Sequence, residues 1–321
     1  MNHICDGLPT CLPAKYLHAS STLLNMSNSR AYLRRSVLYV PAANTRAMDK
    51  SWSLGADAIV FDLEDVVAPS AKAAARAALI TQLADNRRVG IEVVIRVNAL
   101  GTADLALDLE AVAQSQPDAV LLPKVDSADD LHAFAKCAAA AALPPDMLLW
   151  AMVETAAGIA ELDAIVKAGM SLQPRLHCLV VGTNDIAKET GVFTGDQRAC
   201  LVPWLMGIVL VAKRRGVTVL DGVWNDFRNQ AGFDLEATQG MKMGFDGKTL
   251  IHPSQVDNAN RVFSPSPEAV DEALRIVALF SDPQHAASNV VNLDGRMVER
   301  LHYEQSLRLL ATHARASPKR T

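Results

Sequence analysis

From Ser36 onward, short apolar runs recur along the chain: Val37 to Val40, Ala58 to Phe61, Val93 to Ile95, Ala119 to Leu122, Leu148 to Val153, Cys178 to Val181, Val217 to Leu220, and Thr249 to Ile251. Each is too short for a buried helix and most are rich in β-branched residues, so they predict eight strands. The stretches between them carry a helical period. Leu131, Phe134 and Ala138 keep a three- or four-residue step, as do Ile159, Leu162 and Val166, which gives each helix one apolar face to lay on a sheet. Strand starts lie roughly 20 to 40 residues apart, the length of a βα unit.

Eight such units in series close into a (β/α)8 barrel, whereas an open doubly wound sheet has fewer strands and a Gly-rich first turn. That turn is missing here, since Tyr39-Val40-Pro41-Ala42-Ala43-Asn44 contains no glycine. Gly247-Lys248-Thr249 is not a phosphate loop either. The first glycine of that motif would fall at Lys242, and a strand, not a helix, is expected after Thr249. Past the eighth strand, Pro265 and Pro267 lead into a helix near Glu268 to Phe280, and a last helix is expected from about Arg296 to Arg315. Its stripe of Tyr303, Leu307, Leu310 and Ala314 must pack on something, either the barrel or a neighbouring subunit. The predicted organisation is an α/β TIM barrel over 35–262, a C-terminal helical lid or oligomerisation segment over 263–321, and a disordered or loosely docked extension over 1–34. Residues 1–25 are expected to be dispensable. Lys15, Arg30 and Arg34 against Asp6 alone also fit a transit peptide, the less favoured reading.

Composition narrows the class. Of 321 residues, 50% are hydrophobic and only 5% aromatic, so the core must be built from Ala, Val, Leu and Ile, as in buried parallel strands under helices. A net charge of −4 with mixed signs offers no basic stripe, which argues against a nucleic-acid partner. Cys5, Cys11, Cys137, Cys178 and Cys200 form an odd set with no Cys-x-x-Cys pair, so neither a zinc knuckle nor a disulfide framework is expected. No apolar run approaches the roughly 20 residues of a bilayer span, so no membrane partner and a cytoplasmic location are expected.

The apolar runs stop at polar residues: Asp62 with Glu64 and Asp65, Arg96 with Asn98, Lys124, Glu154, Asp185, Asp221 and His252. In a barrel these strand ends converge on one face, where barrel enzymes do their chemistry. Helix capping also accounts for Asp221, but poorly for Glu154, Arg96 and Lys124. Glu154 and Asp185, ending the adjacent fifth and sixth strands, suit Mg²⁺, which takes oxygen ligands and keeps several waters. Zinc ligation is not available, since His252 stands alone, and for His252 itself a structural turn role and a ligand contact stay open. No Gly-x-Ser-x-Gly turn supports a serine nucleophile.

At these residues the chain resembles the citrate lyase β-subunit-like enzymes, the group that includes malyl-CoA and citramalyl-CoA lyases within the HpcH/HpaI aldolase superfamily. The matching segments are RSVLYVPAANTRAMDK, GADAIVFDLEDVVAPSAKAAAR, IRVNALGTADLALDLEAV, VLLPKVDS, MVETAAG, VVGTNDIAKETG and GKTLIHPSQV, running from Arg35 to about Val256. The resemblance implies that Glu154 and Asp185 bind Mg²⁺ and that Arg96 holds the acyl or keto-acid portion of the substrate. Asp62, Glu64 and Asp65 would then orient metal-bound water or Lys124. Tyr39, Lys50, Ile251 and His252 match positions that touch coenzyme A, which enters as part of a CoA-thioester substrate. Asn44 stands where some malyl-CoA lyases carry an arginine, with Arg46 as its replacement. The family's C-terminal GxMxD delivers an aspartate into a neighbouring subunit's site; here Gly295-Arg296-Met297-Val298-Glu299 keeps the carboxylate and adds one methylene. A homo-oligomer, trimer or hexamer, follows from that resemblance.

By the same resemblance, cleavage of a 3-hydroxyacyl-CoA leaves acetyl-CoA as an enolate, with Arg96, Lys124, Glu64 and Glu299 as the catalytic candidates. Citramalyl-CoA, giving pyruvate and acetyl-CoA, is the first substrate expected. The rivals are a malyl-CoA-type thioesterase and a citrate lyase β-subunit acting on a carrier-protein thioester.

Overall fold

Eight short strands pair in parallel and in sequence order, and the eighth returns to the first, so the sheet closes. They are β1 (Ser36–Pro41), β2 (Ala58–Asp62), β3 (Glu92–Arg96), β4 (Ala119–Leu122), β5 (Leu148–Val153), β6 (Arg175–Val181), β7 (Thr218–Asp221) and β8 (Gly247–Leu250). The computed structural model describes residues 32–85, 90–285 and 288–316, so the expectations for residues 1–25 fall outside it. Helices stand between the strands, and the eight-stranded barrel read from the apolar runs holds. The chain divides into two compact units, the barrel from Arg34 to Phe263 and a second unit taking in the chain from Ser264 onward.

Side-chain alternation along the strands sorts the barrel residues into two sets. Val37, Val60, Val94, Leu121, Trp150, Met152, Cys178, Val180 and Leu220 fill the interior. Ile59, Phe61, Ile95, Val120, Leu149 and Leu179 face outward under the helices. Full burial of each such side chain contributes about 1.5–3 kcal/mol, which is why apolar runs this short suffice to hold a strand. The eighth strand begins two residues earlier than its apolar run. Lys248 points outward and is fully buried, its Nζ bonding Asp221 Oδ2 at 3.0 Å and Glu236 Oε1 at 2.8 Å, so a strand residue reads as polar. Gly247 is required there, because a Cβ would collide with the Arg34 carbonyl.

Arg34, assigned to the extension by the sequence pattern, instead closes the barrel's base. Its Nε and Nη2 donate to Glu92 at 2.7 Å each, its Nη1 contacts His177 Nδ1 at 2.9 Å, and its guanidinium lies 4.7 Å from the centre of the Trp150 ring. Arginine can only donate, so His177 accepts through Nδ1 and is neutral. Burial, together with the Arg34 and Arg175 charges, lowers His177 to about 4. Between pH 6.5 and 4 the unfolded chain therefore binds the proton that the folded chain refuses. Stability is fully present above about pH 6.5 and falls as pH drops toward 4, by on the order of 1–2 kcal/mol once solvent screening of a partly exposed ring is allowed for. Calorimetric melting across this window is expected to show the acid-side fall in Tm, with a shallower slope in His177→Gln.

Gly195–Arg215 is long and apolar enough by length and composition to cross a membrane, contrary to the sequence expectation. Its backbone is broken by positive φ at Asp196, Gln197 and Arg198, and the continuous helix Val202–Arg215 has 14 residues and buries Leu205, Ile208 and Ala212.

In the second unit, the expected start of the last helix at Arg296 is corrected. Arg296–Glu299 is a strand, β10, paired antiparallel with β9 (Val290–Leu293), and the helix begins at Arg300. Gly295, with φ +82, and Asp294, with φ +51, make the turn that a helix cannot contain. The stripe on the helix Arg300–Ala316 packs through Tyr303, Leu307 and Leu310 on Ala273 and Val277 of the helix Pro267–Ser281, a partner the stripe alone did not reveal, while Ala314 is exposed.

Candidate active site

The interior rows of side chains do not end with the last apolar residue. Two residues beyond Val37, Val60, Val94 and Met152 stand Tyr39, Asp62, Arg96 and Glu154, so the two-residue period that fills the barrel also delivers these groups inward at its C-terminal end. Asp62, Arg96 and Glu154 are buried, and Glu64 is 5% exposed.

Arg96 is held on several sides. Its Nε donates to Asp62 Oδ1 at 2.8 Å and its Nη2 to Asp62 Oδ2 at 2.5 Å, a fork that matches guanidinium to carboxylate. Its Nη1 lies 3.6 Å from Met152 Sδ and 3.0 Å from Glu64 Oε2, and the Tyr39 ring centre is 5.0 Å from the guanidinium. The contact to Glu64 is close but off the N–H direction, and Glu64 Oε2 is buried without a hydrogen bond. Asp62 is therefore Arg96's clamp, and it also accepts the Glu64 backbone N–H at 2.9 Å.

Glu64 Oε1 accepts from Lys124 Nζ at 2.7 Å, while Asp65 is mostly exposed and 3.7 Å from the same ammonium. Lys124 follows β4 with a left-handed φ of +53, a conformation costly for a lysine. That backbone turns its N–H onto Glu154 Oε1 at 2.8 Å. Burial, reinforced by Glu64 and Asp185, pushes Glu154 up to about 7 even though the Lys124 N–H counters it. Burial raises Glu64 as well, with Arg96 and Lys124 opposing.

Asp185 does not end β6 as the pattern suggested; it sits in the first turn of the helix Thr183–Thr190, where negative charge is favoured, close enough to raise Glu154. Gly182, between them, is a residue the sequence reading missed. A Cβ there would meet Glu154 Oε2 at 2.6 Å, so only glycine leaves room beside that oxygen. The fit to a hard dication is good: a buried carboxylate that none of the ion pairs among the described residues includes, a second carboxylate near it, and space at one oxygen. Among the described residues no group of three or more His, Cys, Asp or Glu is placed to hold a metal, which leaves two-carboxylate ligation completed by water and substrate.

The remaining candidates make contacts of their own. Lys50 is exposed in the last turn of the helix Thr45–Ser51, and Asn44 caps that helix, its side chain accepting from Ala47 N. Ile251 is 40% exposed after β8. The His252 ring stacks on Phe227 at 4.5 Å and 14°, and its Nδ1 accepts the Ser254 N–H. Asp221 is not the helix cap that the sequence left open: it pairs with Arg198 and Lys248 outside the barrel wall, and Asn229 caps the helix that follows. Glu299 belongs to the second unit, at the end of β10, with its backbone N–H on His302 Nδ1.

The family model for HpcH/HpaI aldolase/citrate lyase matches residues 35–253. The chain belongs to that family. It is 44% identical over 282 residues to a (3S)-malyl-CoA thioesterase of Cereibacter sphaeroides, covering 88% of this chain and 95% of that protein. The mitochondrial citramalyl-CoA lyase of Homo sapiens is 32% identical over 83% of this chain and 81% of its own. Among solved structures, protein CitE from Mycobacterium tuberculosis, in complex with magnesium, acetoacetate and coenzyme A, superposes with a TM-score of 0.72 at 28% identity, covering 89% of this chain and 99% of that one. The resemblance read from the strand-end motifs is thus shown, and so is the barrel of this family.

Proposed function

We propose that the chain is a Mg²⁺-dependent enzyme of short 3-hydroxyacyl-CoA thioesters such as malyl-CoA or citramalyl-CoA. The bond cleaved, or in reverse formed, joins the hydroxyl-bearing carbon to the acetyl-CoA portion. The observation that carries this reading is the interior cluster of Glu154, Arg96, Glu64 and Lys124 beside Asp185, acid and base packed together with no serine or cysteine nucleophile among them. Glu154 and Asp185 would hold the metal, which when bound supplies Lewis-acid polarisation of the substrate's hydroxyl oxygen.

The protein's own groups have distinct tasks in this reading. Arg96, fixed by Asp62, presents a pre-oriented positive charge to the keto-acid portion, so no reorganisation is needed as negative charge moves there. Lys124 and Glu64 form a second charged pair at the same face and orient the groups around the reacting carbon. Glu299, from a neighbouring copy in a homo-oligomer, transfers a proton to the acetyl-CoA enolate carbon, which thereby becomes the methyl group. It has the setting for this: β9 and β10 bury Val291, Leu293 and Val298, while Val290, Met297 and Glu299 share the opposite face, with Val290 50% and Met297 67% exposed. Tyr39, Lys50, Ile251 and His252 are assigned to the coenzyme A portion.

A second reading, thioester hydrolysis, is favoured by the 44% identity to proteins named malyl-CoA thioesterase. The reverse reaction separates the two. With Mg²⁺, acetyl-CoA and glyoxylate or pyruvate should condense to the hydroxyacyl thioester if the chain is a lyase; a hydrolase makes nothing from them and releases free coenzyme A from malyl-CoA. Turnover of free CoA esters by the isolated chain would also set it apart from a citrate lyase β-subunit that needs a carrier protein.

The close approach at Gly182 supplies a local test. Gly182→Ala is expected to displace the Glu154 carboxylate and weaken Mg²⁺ binding by roughly 10- to 100-fold in calorimetric titration, while the circular dichroism of the barrel stays the same. Unaltered affinity would remove Glu154 Oε2 from the metal site.

A further inference from the structure

Lys72 opens the helix Lys72–Asp85 and is only 8% exposed. A lysine at a helix start opposes the helix dipole, and a buried ammonium needs partners, so its position must be compensated. The compensation comes from three neutral acceptors: the Leu63 carbonyl at 3.0 Å, the Glu64 carbonyl at 3.3 Å and Asn98 Oδ1. An ammonium has three N–H groups, and all three are used. Among the ion pairs of the described residues, none involves Lys72. Its charge therefore serves to hold backbone and amide oxygens.

Those oxygens belong to the two segments that carry the reacting cluster. Leu63 and Glu64 follow β2, and Asn98 follows β3, two residues beyond Arg96. Asn98 is itself fixed, its Nδ2 donating to the Leu63 carbonyl at 3.1 Å and to Asp108 Oδ2 at 2.6 Å, while Asp108 Oδ1 accepts from Arg76 Nη1 at 2.9 Å. Lys72 and Arg76 lie one turn apart on the same helix face. The helix thus staples the segments that follow both strands. Glu64 must lie between the Arg96 guanidinium and the Lys124 ammonium to serve both, and its backbone is what Lys72 grips.

We propose that Lys72 is a positioning residue, which acts through the Leu63–Glu64 turn to set the Glu64 carboxylate between Arg96 and Lys124. The proposal rests on the reading of those three residues as part of the reacting centre. Lys72→Met keeps the aliphatic stem and removes the ammonium. Its kcat for Mg²⁺-dependent turnover of malyl-CoA or citramalyl-CoA is expected to fall roughly 10- to 100-fold, with KM and Mg²⁺ affinity within about twofold of wild type. Because the effect passes through Glu64, adding Lys72→Met to Glu64→Gln should cost little more than Glu64→Gln alone, whereas a merely structural role gives additive losses.

Hydrogen exchange tests the same contact without turnover. Peptides spanning Leu63 to Val67 should exchange faster in Lys72→Met, and those spanning Glu154 and Asp185 should not change. If Lys72→Met does not fold, Lys72→Gln, with two donors on a shorter stem, is read in the same way. Unchanged exchange at Leu63 to Val67, or additive losses of kcat, would overturn the proposal. Inactivity of the wild type on every CoA ester would instead overturn the functional reading and leave the exchange result to decide the role of Lys72.

Discussion

Glu154→Gln and Asp185→Asn are each expected to reduce Mg²⁺-dependent turnover by about 10³-fold or more, because the several kcal/mol that a Lewis acid contributes to the barrier is lost when its anchoring charge is removed. The amide at position 154 keeps an oxygen for the Lys124 N–H, which now bonds Glu154 Oε1 at 2.8 Å, so the loss reports charge and not a broken turn. Melting temperature should not fall and far-ultraviolet circular dichroism should stay the same, since removing one of two carboxylates that repel each other relieves that repulsion in the metal-free protein. Calorimetric Mg²⁺ titration measures the binding defect directly. Wild-type affinity in both variants would place the metal elsewhere.

Glu299→Gln should lower kcat by roughly 10²- to 10⁴-fold, the usual contribution of a general acid or base, with Mg²⁺ binding little affected. The amide matches the carboxylate in size but cannot exchange the proton. If the residue works across a subunit boundary, mixing Glu299→Gln chains with Arg96→Ala chains restores activity, because some sites then receive an intact Arg96 from one copy and an intact Glu299 from another. No recovery despite demonstrated subunit exchange would exclude the role in trans. Full activity in Glu299→Gln alone would remove the residue from the mechanism.

The barrel was legible because its signal is repetitive: eight apolar runs at βα spacing, each followed by polar residues that a parallel barrel must gather on one face. Its edges were less legible where a strand residue serves a polar contact. The start of β8 is hidden because Lys248, buried against Asp221 and Glu236, reads as a loop residue, and Arg34 reads as part of the extension because its partners Glu92 and His177 are distant in sequence. The stretch Arg296–Glu299 reads as the start of the last helix because a four-residue strand carries little period of its own. At the site, charged residues at strand ends announced themselves, whereas Gly182 and Lys72 did not. Gly182 matters for what it lacks, and Lys72 for carbonyls it reaches, and neither property is visible without the third dimension.

Mg²⁺-dependent cleavage of a carbon–carbon bond beside a CoA thioester is read out in one chromatographic time course. Purified chain is incubated with malyl-CoA or citramalyl-CoA, first with a chelator and then with excess Mg²⁺, and acetyl-CoA, glyoxylate or pyruvate, and free coenzyme A are followed together. No turnover is expected with the chelator, then acetyl-CoA and the 2-oxo acid in equal amounts once Mg²⁺ is added. Release of free coenzyme A without acetyl-CoA, or equal turnover in the presence of the chelator, would contradict that expectation.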